Sequence, residues 1–470
     1  MGNPDWGSLS RKHALPSFFL FRTLFCVLTP YLGPNSRADV RFSVLFLCLC
    51  IATVMDELQD LHHSIIAVSV GDSLLQRVMN FTKRRSLDAL HSIRWRLLTG
   101  LLSVAVNSSN ALEQWEKSTR ECVAMWNATN KDLRNRRGNP SVMQVPVPKR
   151  TYSEGDDPSD EGEDEAGDEN PLIPREGSRY AFRCRLDALQ SAMLLDADRI
   201  DWDIQLFSFP DTRESLRDIL LNYCVQHDCE YKQGMHEVAA FVFYITHSDA
   251  TKIEQLYREH QQGCPSLPGA FRFICPIDDV TALSYHLFDA IMSERGVNLT
   301  SWYFERPASR NSGIKTAMNR VQSVLLLLLD KELHKQMDVV YELPPATYLL
   351  RWLRLLFLRE FSLEQCADLW DVFLSERFAA ASVGRCYDIQ NCVITMLAAV
   401  MLLNVKAELM KGPNEAITCV MKYPSVDNVA SLIQQAIFHL DSAKKLLGQH
   451  ITLDVSDTTG KELFEGVEVN

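Results

Sequence analysis

No two cysteines in this 470-residue chain stand at C-x-x-C spacing, and no Cys/His cluster has the spacing of a zinc site. The thirteen cysteines are odd in number and scattered, which excludes a disulfide framework and structural zinc as organising devices. They read as small buried hydrophobes in a reducing compartment. Long hydrophobic runs are missing too. The two candidates, residues 18–32 (FFLFRTLFCVLTPYL) and 42–55 (FSVLFLCLCIATVM), fall short of the ~20 residues a spanning helix needs, and Arg22 interrupts the first. A signal anchor ending near Met55, a leader that packs on the domain and a leader that does not belong to the working protein all remain open for this stretch. Only translocation would make the sequons at Asn80, Asn107, Asn127 and Asn298 acceptors, and they are expected to be chance matches in a cytosolic protein.

A basic excess is also lacking. The net charge is −12, from 48 Lys+Arg against 60 Asp+Glu. Ten of the acids fall in residues 154–169 (EGDDPSDEGEDEAGDE), and without them 50 acids face 48 bases. The folded part is thus nearly neutral, and no nucleic-acid partner is expected. Neither an internal repeat nor sustained two-residue alternation with hairpin turns is present, which argues against a β fold.

What is present from about Leu74 onward is helical patterning. Asp211-Thr-Arg-Glu214 predicts a capping-box start, followed by a buried stripe of Leu216, Ile219, Leu220 and Tyr223 at helical spacing. Residues 346–358 (ATYLLRWLRLLFL) and 392–403 (CVITMLAAVMLL) are apolar on nearly all sides, as expected of central helices in a large bundle. The second is expected to continue to Lys411, with Gly412 as a left-handed cap and Pro413 as a stop. The fold class is all-α. Residues 138–178 interrupt it with prolines, the basic pair Lys149-Arg150 and the acidic run. Such a composition cannot bury enough apolar surface to offset its ordering entropy, so a disordered insertion is expected. The domain plan is a leader (1–70), a helical domain (75–440) holding that insertion, and a tail (441–470).

Two motifs carry residues suited to chemistry: Met193-Leu-Leu-Asp196-Ala-Asp-Arg199 and Tyr231-Lys232-Gln233-Gly234-Met235-His236. Asp196 stands three before Arg199, so on a helix the carboxylate can hold the guanidinium. Gln233 precedes a helix expected to open near Met235, whose free N–H groups and dipole favour a nearby phosphate. Gly234 permits a backbone geometry or a close approach that a side chain would block. For His236 the expected role is packing or capping, and Trp352 and Trp370 are expected in the core.

Other segments occur in order around these two. They are Ile93-Arg94-Trp95-Arg96-Leu97-Leu98, Trp352-Leu-Arg354-Leu-Leu-Phe-Leu-Arg359-Glu360-Phe361 and Leu369-Trp370-Asp371. Together they resemble the TBC domain, the helical module that activates Rab GTPases, over roughly residues 75–440. The Tyr-Lys-Gln-Gly-Met-His-Glu string at 231–237, Pro344-Pro345-Ala346-Thr347-Tyr348 and Met421-Lys-Tyr-Pro424 are similar to the retromer-associated branch of that family.

The resemblance implies a two-lobed, multi-helix domain that is no stand-alone enzyme but completes the active site of a Rab GTPase in trans. Hydrolysis of GTP needs an oriented water and neutralised phosphate charge, and an arginine supplied in trans is worth roughly 10³–10⁵ in rate. By the resemblance Arg199 is the arginine finger and Gln233 the glutamine finger, with Asp196, Tyr231 and Gly234 in support. No metal or cofactor belongs to the chain; GTP and Mg²⁺ belong to the partner. That partner is expected to be a late-endosomal Rab, with the chain cytoplasmic and recruited peripherally to endosomal membranes. Asn170-Pro171-Leu172 resembles a loop that docks on retromer, and Phe464-Glu465-Gly466-Val467 resembles a motif for autophagy ubiquitin-like proteins.

The chain departs from the family pattern in two places. Ile200-Asp201-Trp202 stands where Thr-x-Pro is usual, so that Asp198 and Asp201 flank the arginine. The acidic pair of the third motif falls at Thr281 and Leu283, before Tyr285 and Phe288. Both departures support an alternative: a catalytically weak scaffold that binds retromer or a Rab.

Overall fold

The computed structural model describes residues 90–103, 111–138, 179–200, 202–260, 267–304, 313–382 and 384–450. Among them every regular element is helical. The two apolar runs at 18–55, the segment 139–178 with Asn170, Pro171 and Leu172, and the tail motif at 464–467 lie outside the described residues. The longer helices are α1 (His91–Leu98), α2 (Ala111–Gly138), α3 (Arg179–Ala197), α4 (Pro210–Gln226), α5 (Met235–His260), α6 (Leu267–Ile274) and α7 (Val280–Met292). After short helical pieces between 300 and 347 come α8 (Leu349–Arg354), α9 (Leu363–Ser382), α10 (Val393–Asn404), α11 (Pro413–Met421) and α12 (Val429–His450). No helix among the described residues is long and apolar enough to cross a membrane.

Helix α4 shows how local sequence sets an element and how the expected start shifts. It begins at Pro210 rather than at a capping Asp211. The fixed φ of proline suits the first helical position, where its missing N–H costs nothing. Phe209 is the N-cap, with extended backbone and no side-chain cap bond, so the expected capping box does not form. The expected stripe does: Leu216, Ile219, Leu220 and Tyr223 are all buried.

Helix α10 is buried all round, from Val393 to Leu402, and packs chiefly against α12. It ends at Asn404, with one further turn at Lys406–Leu409. Gly412 is not a left-handed cap. Its φ of 170° is ordinary extended backbone, and with Pro413 at the first position it starts α11 instead.

The segment expected to form one helix over 346–358 is helical only at Leu349–Arg354. Leu356 and Phe357 turn left-handed, with φ of 48° and 65°, at a cost of about 1–2 kcal/mol each. Leu355, Leu356, Phe357 and Leu358 are nonetheless all buried. Two of the carbonyls freed by the turn are reclaimed, with Trp370 Nε1 donating to Leu356 O at 3.2 Å and Cys366 Sγ to Phe357 O at 3.5 Å. The turn delivers Leu355 and Arg359 to the head of α5.

The base of the domain is a knot between α1, α5 and α9. The Trp95 and Trp370 rings lie 5.5 Å apart, and Phe241 meets Trp370 edge-on at 4.7 Å. Beside them the buried Asp371 accepts from Trp95 Nε1 at 2.7 Å, contacts His91 Nδ1 at 3.1 Å and pairs with Arg94. Burial alone would raise the carboxyl's pKa, but Arg94 and His91 outweigh it and bring it down to about 2. Trp352 is core as well.

Candidate functional site

Helix α3 stops at Ala197, so Arg199 lies in the following turn, its N–H donating to Asp196 O at 3.1 Å. The expected pairing forms, but across the helix end rather than along a helical face: Arg199 Nη1 donates to Asp196 Oδ1 at 3.1 Å. The arginine side chain is 69% exposed and the aspartate 11%. A pair this exposed contributes about 0–1 kcal/mol, enough to bias the guanidinium's direction while leaving it movable.

Two features of the arginine loop bear on its unusual sequence. Trp202 packs edge-on against Phe207 at 5.3 Å and against Phe241 of α5 at 6.4 Å. The residue that breaks the family pattern thus fastens the loop to the core, with aromatic pairs worth about 0.5–1.5 kcal/mol each. Asp198, which flanks Arg199, pairs with Arg213 at 3.1 Å, and Arg213 Nε also donates to Phe207 O at 3.3 Å. Asp201 lies outside the described residues.

The second motif forms the turn that opens α5. Gly234 takes φ of 101°, and a Cβ there would meet Leu355 Cδ2 and Tyr303 OH, each at 3.0 Å. Behind it Tyr303 OH donates to Arg354 O at 3.1 Å, so the backing wall is itself tied down. Gly234→Ala is therefore expected to lower stability by about 1–3 kcal/mol, from left-handed strain and crowding together. An unchanged urea midpoint would show that the turn has another conformation available.

Tyr231 joins the two motifs. Its hydroxyl donates to Asp196 Oδ2 at 2.8 Å and lies 2.8 Å from His236 Nδ1. Burial, with Asp196 adding to it, pushes the phenol pKa well up, so the hydroxyl keeps its proton. His236 is 4% exposed. Burial lowers its pKa against the opposing pull of Glu237 and Asp196. Its Nδ1 also lies 3.4 Å from the Gly234 N–H, in keeping with the expected packing and capping role. Glu237, in the first turn of α5, is gripped by Arg359 through Nε at 2.8 Å and Nη2 at 2.7 Å. That neutralises the one acid in the first turn, leaving the helix's positive end free to favour an anion.

Asp196, Arg199, Tyr231 and Gly234 are thus brought together in one hydrogen-bonded patch. Gln233 stands on the same turn, two residues from Tyr231, exposed, and its side chain makes no hydrogen bond among the described residues. Of the third-motif positions, Leu283 is 1% exposed and Thr281 Oγ1 donates to Ser215 Oγ at 3.1 Å. A carboxylate at 283 would sit in the core of the domain. No cluster of metal-ligating residues occurs among the described residues. Sequence reasoning missed Trp202, Arg213 and the Arg359–Glu237 grip. Only the last left a signal, since both partners fall inside motifs.

Residues 183–410 match the Rab-GTPase-TBC domain family. The chain is 26% identical over 326 residues to TBC1 domain family member 5 of Homo sapiens, covering 64% of this chain and 39% of the relative. It is 31% identical over 129 residues to TBC1 domain family member 5 homolog B of Dictyostelium discoideum, covering 27% of this chain and 12% of that protein. Among solved structures, the Ypt/Rab-GAP domain of Gyp1p superposes with a TM-score of 0.51 at 17% identity, covering 80% of this chain and 99% of that one. This last likeness concerns the fold. The chain spans about two fifths of the length of the human relative it matches.

Proposed function

Because this chain carries a Rab-GTPase-TBC domain, we propose that it accelerates GTP hydrolysis by a Rab-family GTPase, inserting Arg199 and Gln233 into the partner's active site. The observation that carries the reading is the hydrogen bond from Tyr231 to Asp196. It holds two motifs that are distant in sequence in one patch, with an exposed guanidinium and an exposed amide beside the positive end of α5. Arg199 neutralises charge developing on the transferred phosphoryl group, and Gln233 orients the attacking water. Asp196 and Tyr231 aim the arginine, and Gly234 lets the glutamine's backbone approach closely. GTP and Mg²⁺ come with the partner.

Single-turnover GTP hydrolysis by a panel of Rab proteins, with and without this chain, tests the proposal. Stimulation of at least one Rab by about 10³-fold or more is expected. The scaffold alternative draws on Thr281 and Leu283 in the third motif, and it prevails if no Rab is stimulated.

The similarity to member 5 relatives supports a setting on endosomal membranes, with a late-endosomal Rab as substrate and retromer as recruiter. Within that reading Leu172 is the apolar anchor of a proline-stiffened loop, Asn170-Pro171-Leu172. Leu172→Glu would place a charge in an apolar pocket, at a cost of several kcal/mol. It should abolish retromer capture in a pull-down while leaving GTPase stimulation within about twofold. Retention of retromer would end the docking assignment, and loss of both activities would mean that Leu172 serves the fold. The tail motif at Phe464–Val467 is the corresponding candidate for an autophagy ubiquitin-like protein.

A further inference from the structure

Resting on that function, we infer that Arg354 is a docking cation, which receives an acidic side chain of the partner GTPase beside the glutamine turn and so sets affinity rather than rate.

Charge pairing singles it out. Three arginines lie within residues 351–359. Arg351 Nε donates to Glu360 Oε1 at 2.7 Å, and Arg359 grips both Glu237 oxygens. Among the described residues no carboxylate pairs with Arg354, and its Nε is buried without a hydrogen-bond partner. What holds the guanidinium is a ring, with Cζ 5.3 Å from the Tyr303 centroid. A cation over a ring face keeps its charge, and its remaining N–H donors stay available. A buried donor left unpaired opposes folding, and a methionine would cover the same ring without that penalty. Packing therefore does not account for an arginine here, whereas a charge kept for a counterpart does. The residue is half-buried, so the counterpart can reach it from outside the fold.

Its place gives the partner. The Arg354 stem passes beside the turn that presents Gln233, since a Cβ at Gly234 would lie 3.7 Å from Arg354 Cδ and 3.0 Å from the Tyr303 hydroxyl. That hydroxyl donates to Arg354 O at 3.1 Å, so ring, arginine and turn form one unit. A surface that receives Gln233 is thereby brought up to Arg354 as well. Freedom of movement separates it from the arginine of the first motif. Arg199 is 69% exposed and can extend into another protein, whereas Arg354 is half-buried and stacked. A cation so restrained meets the partner's surface, not the phosphates inside the partner's active site. The chemistry that matches it there is a carboxylate, held by charge-assisted hydrogen bonds, and the positive end of α5 next to the turn favours the same sign.

The test is single-turnover hydrolysis over a range of chain concentrations, for wild type, Arg354→Met and Arg354→Lys. Methionine keeps an apolar stem over Tyr303 and removes the charge; lysine keeps the charge and loses the fork. Arg354→Met is expected to raise the half-saturating concentration about tenfold with the maximal rate within about threefold, and Arg354→Lys to fall between it and wild type. Between about 50 and about 300 mM salt, half-saturation should rise more steeply for wild type than for Arg354→Met. A lower maximal rate at unchanged half-saturation would place the arginine on the reacting phosphate. A urea midpoint and a maximal rate that fall together would assign it to the fold, and no change in either kinetic constant would make it a solvated surface group. Each of these three results overturns the proposal. If wild type stimulates no Rab, the proposed function fails, and binding of the same Rab panel loaded with a non-hydrolysable GTP analogue decides this inference. Binding about tenfold weaker in Arg354→Met upholds it, and equal binding or none overturns it.

Discussion

Arg199→Ala is expected to cut stimulated GTP hydrolysis at least about a hundredfold, and Gln233→Ala to do the same, with neither altering the fold. The separation of effects follows from exposure. Arg199 is 69% exposed and its pairing with Asp196 is weak, so little folding energy depends on it. On the proposed function it would face phosphate charge in the transition state with water excluded, where an arginine is worth roughly 4–7 kcal/mol of barrier. Gln233 has no hydrogen bond to lose among the described residues. Thermal melts should therefore coincide with wild type, within about 0.5 kcal/mol, while single-turnover rates collapse. Full activity in Arg199→Ala would show the arginine to be a solvated surface group. A matched drop in stability and rate would show that it serves the fold.

The second large effect is on the fold. Asp371→Leu removes the carboxylate that pairs with Arg94 and leaves the buried Trp95 indole N–H without its acceptor, and breaking a buried pair in this way costs about 3–5 kcal/mol. Acid should expose the same contact in wild type. Its folded pKa of about 2 is below the ordinary value near 3.9, so the stabilisation is complete above about pH 4 and is lost as pH falls toward 2. The amount is about 2.5 kcal/mol. Urea midpoints measured from pH 5 to pH 2 should thus fall more steeply in wild type than in Asp371→Leu. Parallel curves would show that Asp371 is not the titrating group.

The motif residues could be singled out in the sequence because the expected chemistry restricts them. An arginine for phosphate charge, an amide for water, a nearby carboxylate and a glycine at a left-handed position admit few substitutes. The long buried helix at 393–404 was legible from composition alone. The turn at 355–361 was not, because a segment apolar on every side is buried equally well by a helix or by a tight reversal. What decides between them is distant: Trp370 and Cys366 take up the carbonyls that the reversal frees. Trp202 was misread for a related reason. Departure from a family pattern looked like loss, whereas the ring packs against Phe207 and Phe241 and fastens the loop to the core. Gly412 was placed on the wrong side of its boundary, since glycine before proline fits a helix end and a helix start alike, and only its φ separates them.

The clasp on Asp371 also sets a schedule for synthesis. His91 and Asp371 are 280 residues apart. At 5–20 residues per second, the ribosome delivers the second roughly 14–56 s after the first. For that interval Trp95 has neither Asp371 to accept its indole N–H nor Trp370 to cover its ring. The nascent α1 can meet Phe241 of α5 earlier, but the Trp370 face of its tryptophan awaits a late partner, the kind of surface that chaperones hold. A fragment cut to residues 183–410 would inherit the reverse defect, with Asp371 deprived of His91, Arg94 and the Trp95 indole and Trp370 of the Trp95 ring.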